Sequence, residues 1–314
     1  MNKRCLYCYE PVDDGRDFHT GCSMEFFGTK TAPVMPYSID RMAELAKTIV
    51  ERSVTVPGVQ AKLSMSLIQE AQEKRQARFT VVGAPGGNYI FKPPSATYPE
   101  MPQNEHLTMR LAEAFKINVV PSSLIRMASG ELSYITRRVD RTVDGAKIHM
   151  LDMFQVTEAF DKYKSSMEKI GKALHKYSAN TVLDKLFFFE LTLFSFLTGN
   201  NDMHLKNFSM IKSSSGWVLS PAYDLLNVAI ILQEDDEELA LTMEGKKKKL
   251  RKEDFINFSK GLELTSKQAD NAFGRMLENK SVADEWIRKS FLSEKMKSAY
   301  SELMESRYRQ LGLE

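Results

Sequence analysis

The chain has 314 residues, of which 43% are hydrophobic and 27% are charged. This composition argues against long disorder and a fibrous architecture, and the length suits one large two-lobed unit or two smaller domains. The 43 basic and 41 acidic side chains leave a formal net charge of +2, without the broad positive face used for duplex binding, so we expect no direct contact with nucleic acid.

Residues 1–30 form a polar accessory element that carries all three cysteines. It has no long apolar stretch followed by small residues, which predicts no secretory signal, and its three thiols do not make a disulfide framework. After it, apolar residues at helical spacing predict a helix over 38–51. Alternating and β-branched residues then predict strands over 61–68, 77–82 and 88–92, which we expect to form an antiparallel sheet.

The pattern continues with a helix predicted over 104–115 and strands over 119–127 and 132–137. Helical spacing then predicts helices over 151–160, 167–175, 182–197, 266–277 and 281–311. The apolar run 186–197 includes Glu190 and is too short to span a membrane, so we expect a buried helix and no membrane contact. The three cysteines make no disulfide framework, so we expect a reducing, cytoplasmic location. The fold class predicted is α+β in three parts: the accessory element 1–30, a small β-containing N-lobe over 31–145, and a mainly α-helical C-lobe over 146–314.

The strongest chemical signal is the segment 201–207, NDMHLKN, which directly follows the predicted buried helix. A carboxylate, Asp202, with an amide, Asn207, five residues later is the arrangement of a kinase catalytic loop. There the acid accepts the proton of the substrate hydroxyl and the amide oxygen holds magnesium. Asp224 offers a second hard oxygen ligand for the same ion. A polar surface loop would show the same bare pattern, so a structural role stays open.

A second signal lies upstream, where Lys92 ends a predicted strand and Glu105 begins the next predicted helix. Kinases place a strand lysine on the nucleotide phosphates and orient it with a helix glutamate, and the order along this chain is the same. The alternatives are a solvated lysine at a strand end and a first-turn acid favoured by the helix dipole. A small β-containing lobe followed by a larger helical lobe is the architecture of protein-kinase-like folds, so the predicted elements and these two signals indicate a bilobal, protein-kinase-like fold.

The chain resembles the HipA-like serine/threonine kinase toxins in a series of motif blocks. The blocks are 57–62 (PGVQAK), 89–92 (YIFK), 104–105 (NE), 138–141 (RVDR), 202–209 (DMHLKNFS), 223–224 (YD) and 239–247 (LALTMEGKK). They cover roughly residues 50–260, and the block at 202–209 is the most specific. The resemblance implies an ATP-dependent kinase that uses Mg²⁺.

Position by position, the resemblance implies that Asp202 is the catalytic base and that Asn207 and Asp224 hold magnesium. It also implies that Lys92 contacts the ATP phosphates, oriented by Glu105. These roles assign the chemistry of transfer to a lysine, two carboxylates and an amide, with the glutamate as support.

Two further residues of the loop, His204 and Lys206, would share in transfer. The lysine would neutralise charge on the phosphoryl group, and for both residues the alternative is structural support of the loop. Asp140 is implied as a ligand of adenine or ribose. The chain departs from the family pattern beside it, because an acidic residue is expected at Arg137 and an aromatic one at Val139.

The segment 53–60 resembles the family loop that covers the phosphates, where Gly58 and Gln60 would contact the nucleotide. Thr55 falls on the autophosphorylated position of that loop, with Ser53 two residues before it. A phosphate brings nearly two negative charges, which would pull the loop away from the nucleotide and switch the kinase off. The alternative is that both hydroxyls bond to backbone groups in a turn.

The accessory element contains four soft ligands, Cys5, Cys8, His19 and Cys22, in two close pairs. This spacing is typical of a closed tetrahedral Zn²⁺ site. A fold this short also needs a cross-link such as a bound metal to be stable. The alternative is reduced thiols in a flexible leader. The charged runs 234–238 and 246–249 could form an interaction surface, but such runs are usually solvated loops, and we assign them no role.

Partners follow from the resemblance alone. It implies a translation-related protein substrate such as an aminoacyl-tRNA synthetase, and a HipB-like DNA-binding antitoxin. Since residues 1–50 are too few for the extra N-terminal domain of the family, we expect a short form whose missing domain is a separate small protein. Two alternatives stay open: an inactive ATP-binding pseudokinase or partner-binding module, and a lipid or small-molecule kinase of the same superfamily.

Overall fold

The structure is a computed structural model that describes residues 3–13, 15–42, 44–45, 62–68, 77–82, 86–142 and 144–314. Four expected site residues, Ser53, Thr55, Gly58 and Gln60, lie outside the described residues. The chain divides into two compact units. Unit one comprises residues 1–106, 120–146 and 289–291, and unit two comprises residues 107–119, 147–288 and 292–314.

Unit one is built on an antiparallel sheet, with five strands in the described residues, in the order β2-β1-β3-β5-β4. The strands are β1 (Leu63–Ile68), β2 (Arg78–Val82), β3 (Tyr89–Lys92), β4 (Ser122–Arg126) and β5 (Leu132–Arg137). The predicted antiparallel sheet of the first three strands is thereby confirmed. β3 has a partner on each side, β1 and β5, and Lys92 lies opposite Tyr134. The strand that ends in the candidate lysine is therefore a central strand.

Helix α1 (Thr20–Phe27) lies in the accessory element and was not predicted from the sequence. It ends at Gly28, whose φ of 75° is a left-handed cap that glycine adopts without steric cost. Phe26 and Phe27 at its end are buried, and the Phe27 ring centroid lies 5.9 Å from that of Phe79 on β2. The accessory element therefore packs on the sheet of unit one through these two rings.

Helix α2 (Met101–Ala114) begins a few residues before the predicted start at 104. Unit two then contains a second antiparallel sheet of strands β6 (Met150–Asp152), β7 (Ser209–Ser213) and β8 (Gly216–Leu219), in that order. Its helices are α3 (Met153–Val156), α4 (Met167–Tyr177), α5 (Thr181–Leu197), α6 (Lys252–Gly261), α7 (Ser266–Glu278), α8 (Lys280–Lys289) and α9 (Glu294–Gln310). The chain combines these helices with two antiparallel sheets, which confirms the α+β class.

Helix α5 is the core of unit two. The apolar run predicted as a buried helix lies here, and its four buried phenylalanines are Phe188, Phe189, Phe194 and Phe196. The helix packs against α4, α7 and α9. Its last turn leads directly into the candidate catalytic loop, so a largely buried helix supports that loop.

Two helix predictions were wrong in detail. The predicted helix 151–160 begins as strand β6, because Leu151 pairs with Met210 of β7, and Asp152 then caps the short helix α3 by accepting from the backbone N–H of Gln155. The predicted helix 281–311 is two helices, α8 and α9, and Ser293 caps the second by accepting from the backbone N–H of Met296. Strands β7 and β8 and helix α6 were missed.

Among the described helices, none has both the length and the apolar character needed to cross a bilayer.

Candidate active site

The loop that follows α5 is closed by hydrogen bonds to one carbonyl group. The backbone N–H of His204 and the side-chain amide of Asn207 both donate to the carbonyl oxygen of Asp202, each over 2.8 Å. Gly199, at the start of the loop, has a φ of 68°, and a Cβ there would lie 2.7 Å from Oδ1 of Asn227. Only glycine fits this position. The structure therefore brings Asp202 and Asn207 together, as the spacing of the motif implied.

The hydrogen bond to Asp202 also determines which atom of the Asn207 side chain is available to a metal ion. Asn207 is buried, and its amide nitrogen is engaged with the Asp202 carbonyl. The amide oxygen then lies on the opposite side of the group. Amide oxygens and carboxylates are the ligands that Mg²⁺ prefers, so the donor set of Asn207 and Asp224 fits this ion.

Asp224 belongs to a segment that is tied to the same loop. The hydroxyl of its neighbour Tyr223 donates to the carbonyl of Lys206 over 3.0 Å and is in contact with the hydroxyl of Ser209. Asp224 itself has a φ of 61°, a left-handed conformation that is uncommon for a residue with a Cβ. Such conformations concentrate where a side chain must be aimed at a functional site.

His204 is a buried imidazole with a cation on one nitrogen. The ammonium of Lys162 lies 2.9 Å from Nε2, so that nitrogen accepts and the proton resides on Nδ1. Burial lowers the pKa of His204, and the charge of Lys162 acts in the same direction, against the carboxylates of Asp202 and Asp224, which act to raise it. Nδ1 has no hydrogen-bond partner among the described residues. The imidazole is therefore neutral, with one buried N–H to offer.

The other expected residue of the loop, Lys206, is half-buried, and its ammonium lies 4.8 Å from the centroid of the Phe154 ring. This contact is a cation–π interaction. It supports the aliphatic part of the Lys206 side chain and leaves the ammonium group near the loop.

In unit one, Lys92 and Glu105 form a buried ion pair. Nζ of Lys92 lies 2.6 Å from Oε1 of Glu105, and the residues are 4% and 1% exposed. The ammonium also lies 5.4 Å from the centroid of the Tyr134 ring on β5. A strand lysine oriented by a helix glutamate is the pair that the sequence order suggested, and the structure brings the two together.

Asp140, expected to bind adenine or ribose, is an ion-pair centre. Arg138 donates to both carboxylate oxygens, each over 2.8 Å, and Arg141 donates to Oδ2 over 2.6 Å. Burial acts to raise the pKa of Asp140, but the two arginines outweigh it and hold the pKa below its usual value. Both carboxylate oxygens are thus occupied by arginines of the same segment.

The four Cys and His ligands of the accessory element form one cluster. Their ligand atoms all lie within 4.8 Å of one another. Nδ1 of His19 is 3.4 Å from Sγ of Cys8 and 3.7 Å from Sγ of Cys22, close to the roughly 3.5–3.8 Å between ligands of a tetrahedral zinc ion. Nε2 of His19 bonds to the carbonyl of Pro11 over 2.8 Å, which leaves Nδ1 as the ligand nitrogen. The hydrogen bond from Cys8 lowers the pKa of Cys5 to about 4, which favours a thiolate.

The sequence analysis missed Lys162 and Tyr163, which lie beside the catalytic loop, and gave no role to Asn201, the first residue of the segment 201–207. Lys162 and Tyr163 contact His204 and Asp202, and Asn201 donates from its amide to the acidic run 234–238, at Oδ2 of Asp235 over 3.2 Å. That run is also paired with the lysine run, for example through Lys248 and Asp236. The opposite charges of the two runs were the signal that could have shown their pairing.

Comparisons with known proteins agree with this geometry. A family model described as the HipA-like C-terminal domain matches residues 54–286. A provisionally named kinase of Sinorhizobium fredii is 31% identical over 230 residues, which cover 68% of this chain and 54% of that protein. The serine/threonine-protein kinase toxin HipA of Shewanella oneidensis is 26% identical over 211 residues, which cover 61% of this chain and 47% of that protein. The chain thus spans about half the length of these curated relatives.

Solved structures show the same fold. HipA of Shewanella oneidensis MR-1, in a complex of HipA, HipB and operator DNA, matches with a TM-score of 0.67 at 22% identity, over 86% of this chain and 71% of that chain. The proinflammatory kinase CtkA of Helicobacter pylori matches with a TM-score of 0.52 at 14% identity, over 71% of this chain and 87% of that chain. The chain therefore has the α+β fold of these kinases.

Proposed function

The chain belongs to the family of HipA-like C-terminal domains, and on that premise we propose that it is an ATP-dependent serine/threonine protein kinase. The observation that carries the proposal is the closed loop at 202–207, in which the amide of Asn207 bonds to the carbonyl of Asp202. This bond holds a base and a magnesium ligand in one rigid unit. Positioning of this kind supplies most of the catalysis in phosphoryl transfer.

In the proposed reaction, the oxygen of a protein hydroxyl attacks the γ-phosphorus of ATP, the bond from that phosphorus to the bridging oxygen breaks, and ADP leaves. The hydroxyl proton passes to the carboxylate of Asp202. Asn207 and Asp224 are the residues that would hold Mg²⁺, which, when bound, offsets negative charge on the phosphates. Lys92, oriented by Glu105, contacts the phosphates, and Lys206 and the neutral His204 stabilise the transferred group.

The remaining nucleotide contacts are proposed from the family alone. Gly58 and Gln60 would line the phosphates and Asp140 the adenosine, although the carboxylate of Asp140 would first have to exchange a bond with Arg138 or Arg141. Thr55, with Ser53, is the proposed autophosphorylation site.

The proposed setting is the cytoplasm, as one component of a toxin–antitoxin system. Support comes from the HipA, HipB and operator DNA complex of Shewanella oneidensis, which suggests a HipB-like antitoxin as partner. An aminoacyl-tRNA synthetase as substrate and a separate small protein in place of the missing N-terminal domain are proposals from the family resemblance.

For the accessory element we propose a structural Zn²⁺ held by Cys5, Cys8, His19 and Cys22. The donor set, the ligand spacing and the fixed tautomer of His19 support it. All four ligand positions come from the protein, which is typical of a structural rather than a catalytic site.

Incubation of dephosphorylated protein with labelled ATP and Mg²⁺ tests the kinase, with phosphate mapped by mass spectrometry. We expect label on Thr55 or Ser53, and we expect Asp202→Ala to slow transfer by at least about a hundredfold, since a positioned base is removed. Asp270→Ala, which deletes an exposed carboxylate on α7, is the matched control and should transfer normally. Folded protein that binds ATP without transfer would support the pseudokinase instead, and transfer to lipid or a small molecule alone would support the other alternative.

A further inference from the structure

The segment between α3 and α4 is held by hydrogen bonds at two points, one on the catalytic loop and one on the segment that contains Thr242. The backbone N–H of Leu205 donates to the carbonyl of Lys162 over 3.2 Å. Three residues further on, the carbonyl of Ser165 accepts from the backbone N–H and the hydroxyl of Thr242, over 3.4 and 3.3 Å. The backbone around Tyr163 is therefore anchored on both sides, although the Tyr163 side chain is 40% exposed.

The anchored backbone places the Tyr163 side chain against the candidate base, Asp202. Its hydroxyl donates to Oδ1 of Asp202 over 2.8 Å. Its ring stands edge-on to the His204 ring, with centroids 5.0 Å apart and planes at 76°, and the ammonium of Lys162 lies 4.7 Å from its centroid. Partial burial and the bond to the Asp202 carboxylate raise the pKa of Tyr163, so the phenol stays protonated and remains a donor.

The Asp202 side chain depends on this contact for its orientation. Its carbonyl is held by His204 and Asn207, but the carboxylate rotates about a torsion with a broad energy minimum. Among the described residues, the hydroxyl of Tyr163 is the one hydrogen-bond donor to that carboxylate. Bonding one oxygen fixes the plane of the group, so the direction of Oδ2 is set as well.

We propose that Tyr163 is a positioning residue for phosphoryl transfer, which holds Oδ1 of Asp202 so that Oδ2 receives the proton of the substrate hydroxyl. The inference rests on the proposed kinase function and extends it to a residue outside the motif blocks. Tyr163 touches neither ATP nor the substrate in this role. It acts through Asp202, so its removal should impair the transfer step and leave nucleotide binding unchanged.

The test compares the dephosphorylated wild-type chain with Tyr163→Phe, which keeps the ring contacts with His204 and Lys162 and removes only the hydroxyl. Autophosphorylation rates are measured across ATP concentrations, with the melting temperature of each variant recorded. We expect the maximal rate to fall by about tenfold, the loss of one hydrogen bond to a charged group. The ATP concentration for half-maximal rate and the melting temperature should not change. Tyr177→Phe makes the same chemical change at an exposed tyrosine at the end of α4 and should leave every value unchanged.

The outcomes separate this inference from the proposed function. An active wild type with an equally active Tyr163→Phe variant overturns the positioning role and leaves the kinase standing. A Tyr163→Phe variant that transfers phosphate faster also overturns the inference, because the hydroxyl of Tyr163 would then inhibit the reaction by occupying the Asp202 carboxylate. A higher half-saturating ATP concentration together with a lower melting temperature would reduce Tyr163 to a packing role. A wild type that transfers no phosphate overturns the kinase and this inference together.

Discussion

The pKa of His204 reflects the balance of burial and nearby charges in the catalytic loop. It is buried next to two carboxylates, yet its pKa is lowered, because burial and the ammonium of Lys162 together outweigh Asp202 and Asp224. A histidine whose pKa is lowered on folding contributes stability above its unfolded pKa of roughly 6.5, and that stability is lost as the pH falls through the lowered value. A neutral His204 at neutral pH keeps its Nδ1 proton available within the loop.

Replacing Lys162 with methionine tests this balance. The variant removes the ammonium that lies 2.9 Å from Nε2 and keeps much of the side-chain volume. We expect the pKa of His204 to rise, because the two carboxylates then face less opposition. The measurement is an NMR titration of the imidazole C–H signals. Lys164→Met deletes the same charge from a side chain that is 86% exposed and should leave His204 unaffected. A pKa that stays constant or falls in the Lys162 variant would contradict this account.

At the scale of elements, the accessory element is tied to the strands of unit one by arginines. The guanidinium of Arg137 donates to the carbonyls of Phe26 and Glu25 at the end of α1, and Arg126 on β4 forms a bidentate pair with Asp17. A cation at a helix C-terminus is favoured by the helix dipole and by the unpaired carbonyls there. This explains why an arginine stands at position 137, where the family pattern led us to expect an acid.

The elements also show what the sequence could predict. Periodicity identified the central strand that ends at Lys92 and the buried helix α5. An element that is buried on one side or on all sides shows this in the local spacing of its apolar residues. It failed at β6, where only pairing with β7 distinguishes a strand from a helix turn. The motif spacing selected Asp202 and Asn207, while Tyr163 reaches Asp202 from a polar segment 39 residues away in sequence. No local pattern carries such a contact.

The zinc proposal makes a prediction at this scale. We expect protein purified without chelators to contain about one zinc per chain. His19→Asn should lose the metal and lower the melting temperature by about 5 °C or more, because the metal holds α1 and its arginine contacts in place. Metal analysis and thermal unfolding are the measurements. His149→Asn, at an exposed histidine outside the cluster, is the control. Zinc-free wild type, or a His19 variant with the full melting temperature, would defeat the proposal.

Across the whole molecule, the groups assigned to phosphoryl transfer come from both compact units. The Lys92–Glu105 pair belongs to unit one, and Asp202, Asn207 and Asp224 belong to unit two. The proposed chemistry requires the lysine and the base to serve the same transfer step. Residues that act as one unit lose activity in a strongly non-additive way, whereas independent contributions multiply.

A double-mutant comparison of Lys92 and Asp202 therefore tests the molecule as a whole. Removing Lys92 alone would strip the buried Glu105 carboxylate of its ion-pair partner at a cost of about 3–5 kcal/mol, so the paired change Lys92→Met with Glu105→Gln is preferable. We expect this pair and Asp202→Asn each to slow phosphate transfer by at least about a hundredfold. The variant that combines all three substitutions should transfer phosphate only slightly more slowly than the slower of the two separate variants. Lys267→Met with Asp270→Asn, at exposed positions of α7, should not change the rate. Effects that multiply in the combined variant would show that the lysine and the base contribute independently and do not act as one unit.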